Sequence, residues 1–234
     1  AGAIQAVSLC TPPWPALISY RTPPPAKDVL KVILDDMQAT LQDDFIGFSA
    51  NKEFASRLIA QWEENTGKEA ILEMSMRIYK LEAVQAVSGV PGEMRLVKEE
   101  ERDLVEDWFV GFHREALREE PDLTRIKKMV NAYLLSETHL RGLMIWETIG
   151  QPVSMAGYAG PTPNGIRIGA VYTPPEMRKQ GYASAVTAGL SQYLLDQGYR
   201  FCFLFTDLLN PTSNHIYQQI GYQPVCDVDR YMFG

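Results

Sequence analysis

The stretch VYTPPEMRKQGYASAV, residues 171–186, joins a strand pattern to a helical pattern through two prolines. Pro174 and Pro175 have no N–H group to offer a strand ladder, so the strand is predicted to end there. Apolar residues at helical spacing begin at Val186. We therefore predict a helix from about residue 179 to residue 197, with residues 179–184 as its first turn.

The start of this helix is predicted to bind an anion. The first N–H groups of a helix have no intrahelical acceptor and carry the positive end of its dipole, which favours phosphate. Gly181 lets the backbone approach an anion closely, Ala183 is small, and Arg178 and Lys179 add positive charge. Taken alone, this R-x-x-G-x-A pattern favours a plainer interpretation, a glycine that allows close helix packing.

A second motif, NPTSNHIYQQIGY, covers residues 210–222. Asn210 is predicted to cap a helix that has Pro211 at its first position and ends at Gly221. Asn214 and Tyr217 follow Asn210 at spacings of four and three residues, so all three share one helix face. Such a polar stripe can reach a ligand. The alternative is that Tyr217 is a core residue whose hydroxyl is satisfied within the protein.

Taken together, the two motifs resemble the GNAT acetyltransferase superfamily, over roughly residues 93–234. The sequence is most similar to a bacterial branch of predicted acetyltransferases that carries an extra N-terminal region. The resemblance implies an α/β fold with a mixed, mostly antiparallel sheet in which two central parallel strands splay apart. It also implies an acetyl-CoA-dependent N-acetyltransferase that moves the acetyl group to an amine by direct attack.

The resemblance also implies roles for individual residues. Tyr217 corresponds to the general acid, and Asn210 to an asparagine that contacts the cofactor or a bound water. The residues implied to bind acetyl-CoA are Val171, Tyr172, Thr173, Arg178, Lys179, Gln180, Gly181, Tyr182, Ala183, Ser184, Asn210, Asn214 and Tyr217. The competing interpretation is a non-catalytic module that senses acyl-CoA or serves as an interaction scaffold on the same fold.

One element of the family pattern is missing. The general base of the family is often a glutamate on the strand before the phosphate loop, but GIRIGAVYT, residues 165–173, contains no carboxylate. An amine deprotonated through water needs no dedicated base. The candidate substitutes, each of which is more typical of a surface or packing residue, are Glu147, Asp207, Glu137, His113 and His139.

The chain is predicted to contain two domains, residues 1–92 and 93–234, separated by the Gly- and Pro-rich segment SGVPGEMR. The first has neither motif and is interpreted as a smaller, degenerate GNAT-like domain, truncated at its start because the sequence opens on alanine. A similar element order in the two halves is explained by duplication or, equally well, by chance. Its first helix, residues 25–41, carries apolar Val29, Val32, Ile33 and Met37 at helical spacing.

Composition limits the classes of partner. A net charge of −7 argues against a nucleic-acid binder, and no apolar run approaches the length of a membrane span. Three dispersed cysteines predict a reducing, cytoplasmic location and no metal site. We expect a small amine or a peptide amino terminus as acceptor, attracted by an acidic rim. The rim carboxylates, which are equally typical of solvated turns, are Glu119, Glu120, Asp122, Asp227 and Asp229.

Overall fold

The computed structural model describes residues 3–21, 23–136, 138 and 140–233. Packing divides the chain into two compact units. The first contains the chain up to Ile78, then Asp207–Leu209 and the end of the chain from Val225. The second contains Tyr79–Thr206 and Asn210–Pro224. The domain boundary expected near residue 92, and the degenerate GNAT-like character of the first domain, stay predictions.

The first unit has strands in the order β1-β2-β3-β10-β4 and two helices. β1 and β2 are antiparallel, β2 and β3 are parallel, and β3 and β10 are antiparallel. The last residues of β4 and the first residues of β10 belong to the second unit. The elements are β1 Ala6–Leu9, β2 Ala16–Tyr20, α1 Lys27–Leu41, β3 Gly47–Asn51, α2 Lys52–Thr66, β4 Ala70–Leu81 and β10 Gln223–Phe233.

The core of this unit lies between its helices and its strands. α1 contributes Leu30, Leu34 and Met37, all buried. The apolar face expected for α1 is wrong in part, because Val32 is 66% exposed and the buried stripe is rotated towards Leu30 and Leu34. Leu58 of α2 is fully buried in the same core.

The second unit has strands in the order β9-β8-β7-β6-β5, with β8 and β9 parallel and the others antiparallel. The expected mixed, mostly antiparallel sheet is confirmed. The elements are β5 Glu93–Leu96, α3 Arg102–Phe112, a π-helical turn His113–Leu117, α4 Leu123–Leu134, β6 Gly142–Thr148, β7 Gln151–Ala159, β8 Gly165–Tyr172, α5 Tyr182–Asp196, β9 Phe201–Asp207 and α6 Pro211–Ile220.

Helices cover both faces of the sheet in this unit. Successive side chains of β6 alternate between two cores, as strand geometry requires. Leu143 and Ile145 join the core formed with α3 and α4, whereas Met144 joins the core formed with α5 and α6. The sheet of this unit is therefore the middle layer of three.

A segment without regular secondary structure, residues 83–92, runs beside α5, the end of α6 and β6. The Gln85 N–H donates to the Ile220 carbonyl at 2.7 Å, and the Trp146 indole N–H donates to the Pro91 carbonyl at 2.9 Å. The first bond ties the start of the segment to the end of α6, and the second ties its end to β6. We call residues 83–92 the crossing segment.

No helix in the described part of the chain is both long and apolar enough to span a bilayer.

Leu58→Ala should lower the free energy of unfolding by ~2–5 kcal/mol, because it removes a fully buried side chain and leaves a cavity. Val32→Ala, on the exposed side of α1, is the matched control and should change it by less than about 0.5 kcal/mol. Urea unfolding followed by tryptophan fluorescence measures both. Equal losses of unfolding free energy in the two variants would contradict the finding that Leu58 is buried and Val32 is exposed.

Candidate functional site

The parallel strands β8 and β9 pair only at their beginnings. Gly165, Ile166 and Arg167 lie opposite Phe201, Cys202 and Phe203, and no further pair joins β8 to β9 among the described residues. From there to the ends of the strands, main-chain groups that would complete the ladder face a gap. The predicted splay of two central parallel strands is confirmed.

The end of β8 is also bulged. Between Met155 and Gly157 of β7 there are two residue steps, but between their partners Tyr172 and Gly169 there are three. The extra residue belongs to β8, where Ala170 has φ 49°. A bulge re-aims the residues that follow it, here Val171 and Tyr172.

Side chains fix the end of β8 and the residue after it, Tyr172 and Thr173. The buried Ser154 hydroxyl donates to the Tyr172 carbonyl at 3.1 Å and lies 2.8 Å from the Thr173 hydroxyl. The Arg178 Nε donates to the Thr173 carbonyl at 2.8 Å. The carbonyl groups of Tyr172 and Thr173 thus already have partners, so any pairing of this strand end with a ligand depends on its other main-chain groups.

The loop that follows changes direction within a few residues. Pro175–Met177 forms one 3₁₀ turn, and α5 begins at Tyr182 with Gly181 as its N-cap. The expected helical turn from residue 179 is therefore wrong. Lys179 and Gly181 have φ values of 63° and 84°, in the left-handed region that a right-handed helix excludes.

The left-handed conformations leave a run of N–H groups free. Residues 179–184 have no hydrogen-bond acceptor for their backbone N–H groups within the described chain. Donors in this number at a helix start form a cradle for an anion and add to the positive end of the helix dipole. These residues fit the pyrophosphate of a coenzyme A ester. We call residues 178–184 the phosphate loop.

Gly181 is crowded by the crossing segment as well as strained. A Cβ built on Gly181 would lie 2.8 Å from Cγ2 of Val90. The glycine is therefore required by its φ value and by the side chain of Val90. The plainer interpretation of the R-x-x-G-x-A pattern, a glycine that allows close packing, thus holds at a residue that also belongs to the cradle.

Helix α6 follows the predicted local pattern. Asn210 caps it by accepting from the Ser213 N–H at 3.0 Å, Pro211 is its first residue, and Gly221 ends it with φ 110°. The Asn214 amide donates to the Asn210 carbonyl at 2.7 Å and accepts from the Tyr79 hydroxyl at 3.0 Å. The two asparagines are therefore engaged in holding the helix, and their predicted contact with a cofactor stays a prediction.

Tyr217 combines a buried ring with a free hydroxyl. The residue is 8% exposed, and its ring packs edge-on against Tyr222 at 5.9 Å between centroids. Its hydroxyl has no partner among the described residues, yet it is not among the unpartnered side-chain atoms sealed from solvent. The alternative of a core tyrosine with a satisfied hydroxyl is therefore not met. Burial raises the pKa of Tyr217 to about 12, so the phenol keeps its proton at neutral pH.

A carboxylate not predicted from the sequence lies at the end of β8. Glu115, on the π-helical turn, accepts from the Tyr172 hydroxyl at 2.9 Å and from the Arg178 guanidinium at 2.5 Å. Periodicity gave no signal for it, because a π-turn shifts the helical spacing on which such patterns depend.

The sequence itself carries a family signature over its second half. A model of the acetyltransferase (GNAT) family matches residues 99–222, more than half of the chain. The chain belongs to the GNAT acetyltransferase family. The matched region contains β8, the phosphate loop, α5 and α6, which are the elements that form the site described above. Comparison with curated proteins finds no match.

Several solved GNAT structures have the same fold over nearly the whole chain. A GCN5-related N-acetyltransferase from Kribbella flavida is 15% identical, with 99% of this chain and 88% of that chain covered at a TM-score of 0.66. One from Sphaerobacter thermophilus is 13% identical, with 97% and 75% covered at a TM-score of 0.67. A GNAT acetyltransferase from Colwellia psychrerythraea is 12% identical, with 93% and 78% covered at a TM-score of 0.62. At these identities the likeness concerns the fold.

The candidate bases for a GNAT reaction have other partners where they are described. Glu147 accepts from Arg95, which also pairs with Glu101. Asp207 accepts from the N–H of Leu209. Burial lowers the pKa of His113, whose Nδ1 lies 3.7 Å from Glu119. Glu137 and His139 lie outside the described residues.

The expected acidic rim is wrong for at least one of its members. Asp229 is only 3% exposed and accepts from the Ser75 hydroxyl at 2.6 Å. Asp227 pairs with Arg77, and this pairing lowers the pKa of the aspartate. Asp122 caps α4. Buried and paired carboxylates attract a cationic acceptor weakly, so the choice of acceptor does not rest on this rim.

Within the described residues, no group of three or more His, Cys, Asp or Glu side chains is arranged to hold a metal ion.

Gly181→Ala should destabilise the protein more than Gly160→Ala does. Both glycines have positive φ, 84° and 67°, but a Cβ at Gly160 meets nothing within 4 Å. Gly160→Ala therefore reports the left-handed strain alone, about 1–2 kcal/mol, and the excess at Gly181 reports the contact with Val90. Urea unfolding of all variants measures this difference.

The excess should disappear in a Val90→Ala background, where the methyl group that meets the new Cβ is gone. A double-mutant cycle over Val90 and Gly181 gives the coupling energy directly. Additive effects would show that the crossing segment does not press on the phosphate loop.

Proposed function

We propose that the protein transfers an acetyl group from acetyl-CoA to an amine, either a small molecule or a peptide amino terminus. The observation that carries this proposal is the run of unpartnered N–H groups at residues 179–184, in the loop and helix start that come after the bulged strand β8. Unpartnered N–H groups at a helix start favour an anionic ligand such as a diphosphate. Membership of the GNAT family supports the same assignment.

Residues of β8 and the phosphate loop would hold the cofactor. The N–H groups of residues 179–184 would donate to its pyrophosphate, and Lys179 would add positive charge. Val171 lies beyond the last β8–β9 pair, so its main chain is at the gap in which an extended arm can pair with a strand. When bound, acetyl-CoA supplies an activated acyl thioester.

Tyr217 is proposed as the general acid. A pKa of about 12 keeps its proton in place across the neutral range, and its hydroxyl is free to donate because no described residue accepts from it. The Tyr79 hydroxyl supports the helix that carries Tyr217, since it donates to Asn214 and accepts from Gln218 on α6. Such support fixes the ring position and leaves the acidic group unengaged.

The acceptor amine is proposed to attack the thioester carbonyl carbon directly. A C–N bond forms, the C–S bond breaks, and the departing thiolate takes the proton of Tyr217, which water restores. A neutral amine is itself a nucleophile, and loss of its proton to water needs no dedicated carboxylate on β8. This agrees with a strand that carries no carboxylate in GIRIGAVYT and with candidate bases that are engaged elsewhere.

Tyr217→Phe should lower the rate of thiol release from acetyl-CoA by about 10²–10⁴-fold, the usual size of a lost proton transfer. Binding of coenzyme A should change little, because the ring stays. The assay measures free thiol with a panel of small amines and short peptides, and calorimetry measures binding.

Tyr222→Phe is the matched control. Its ring lies beside that of Tyr217, but its hydroxyl is buried and lies 2.8 Å from the Ser191 hydroxyl, so it is expected to affect stability and not turnover. Undiminished turnover in Tyr217→Phe would remove the tyrosine from its role. Tight coenzyme A binding without thiol release for any acceptor would favour the non-catalytic acyl-CoA-binding module.

A further inference from the structure

Glu115 lies where the end of α3 departs from regular helical geometry. The π-helical turn His113–Leu117 continues α3 and ends at Arg118, which has φ 56°. Such turns are frequent at functional sites and change the direction of the side chains they carry. It brings a carboxylate from the helical layer to the end of β8.

The contacts of Glu115 are specific on both oxygens. Oε1 accepts from the Tyr172 hydroxyl at 2.9 Å, and Oε2 accepts from Nη2 of Arg178 at 2.5 Å. The guanidinium of Arg178 also lies over the Tyr172 ring, 5.7 Å from its centroid. One carboxylate thus joins the last residue of β8 to the first residue of the phosphate loop.

A glycine in α3 makes room for this arrangement. A Cβ on Gly111 would lie 2.3 Å from the Tyr172 hydroxyl oxygen. A glycine inside a helix destabilises it relative to alanine. Its presence is explained by the approach of the tyrosine hydroxyl that donates to Glu115.

The same contacts occupy one edge of the Arg178 guanidinium with acceptors from the protein itself. Nε donates to the Thr173 carbonyl at 2.8 Å, and Nη2 donates to Glu115. These two nitrogens form an edge with which an arginine grips a phosphate through two parallel hydrogen bonds. That edge is turned towards the protein's own strand end and carboxylate.

We infer that Glu115 is a positioning residue, which holds Arg178 as a brace between β8 and the phosphate loop. In this arrangement the backbone N–H groups of residues 179–184 and Lys179 carry the contacts to the anion, and Arg178 shapes the loop instead of gripping the phosphate. The inference rests on the proposed function for the identity of the ligand, but not for the brace itself.

The direction in which Glu115→Gln changes the affinity for coenzyme A tests whether Arg178 is a brace. If Arg178 braces the loop, Glu115→Gln and Arg178→Gln should each weaken coenzyme A binding, by about 3- to 30-fold for a lost charge-assisted bond. The double variant should then bind no more weakly than the weaker single variant, because both remove one brace. If Arg178 instead grips phosphate, Glu115→Gln frees it and binding should tighten or stay unchanged, which would overturn the inference.

Glu176→Gln is the matched control. It removes the same charge from the exposed 3₁₀ turn two residues before Arg178 and should leave binding within about twofold. A loss there as large as in Glu115→Gln would show a general effect of charge and would count against a specific brace.

Hydrogen exchange of the ligand-free protein separates the brace from the ligand. The readout is the set of amides that have acceptors in and beside the loop, which are Met177, Arg178 and Ala185. These amides should exchange about tenfold faster in Glu115→Gln than in the wild type, and at an unchanged rate in Glu176→Gln. A wild type that binds no coenzyme A by calorimetry would overturn the proposed function, while the exchange data would still decide the brace. If Glu115→Gln exchanges at the same rate as the wild type, the inference that Glu115 braces the loop is overturned.

Discussion

The parting of β8 from β9 is the constraint on which the described site depends. A parallel ladder normally continues as long as both strands do, because unpaired main-chain groups in a sheet interior are costly. Here the ladder stops at Arg167 and Phe203, and the bulge at Ala170 turns the rest of β8 out of line. The proline pair then ends the strand. The main-chain groups left unpaired where the strands part are available to a ligand, next to the free N–H groups of residues 179–184.

Hydrogen bonds from outside the strand hold the interruption in place. Ser154 on β7 and Arg178 in the loop satisfy the carbonyl groups of Tyr172 and Thr173, and Glu115 ties the arginine to the end of α3. The acceptors of the strand end are thus satisfied within the protein while the donors of the loop are not. This asymmetry suits an anion, which accepts hydrogen bonds and donates none.

Local features of the chain were predictable, and long-range ones were not. The cap at Asn210 and the helix end at Gly221 follow from residue type and near neighbours, and both are confirmed. The helix start was wrong by three residues because positive φ at Lys179, a non-glycine residue, has no sequence signal. The bonds of Tyr79 to α6 and of Glu115 to the strand end join residues far apart in the chain, beyond any periodicity.

The contact between Val90 and Gly181 links two stretches of sequence that have no other reason to vary together. An alanine at position 181 needs a smaller side chain at position 90, whereas glycine there tolerates valine. Relatives of this chain should therefore show paired substitutions at the two positions. Sequence variation in the crossing segment is then restricted by its contact with the phosphate loop, although the crossing segment has no proposed part in the reaction.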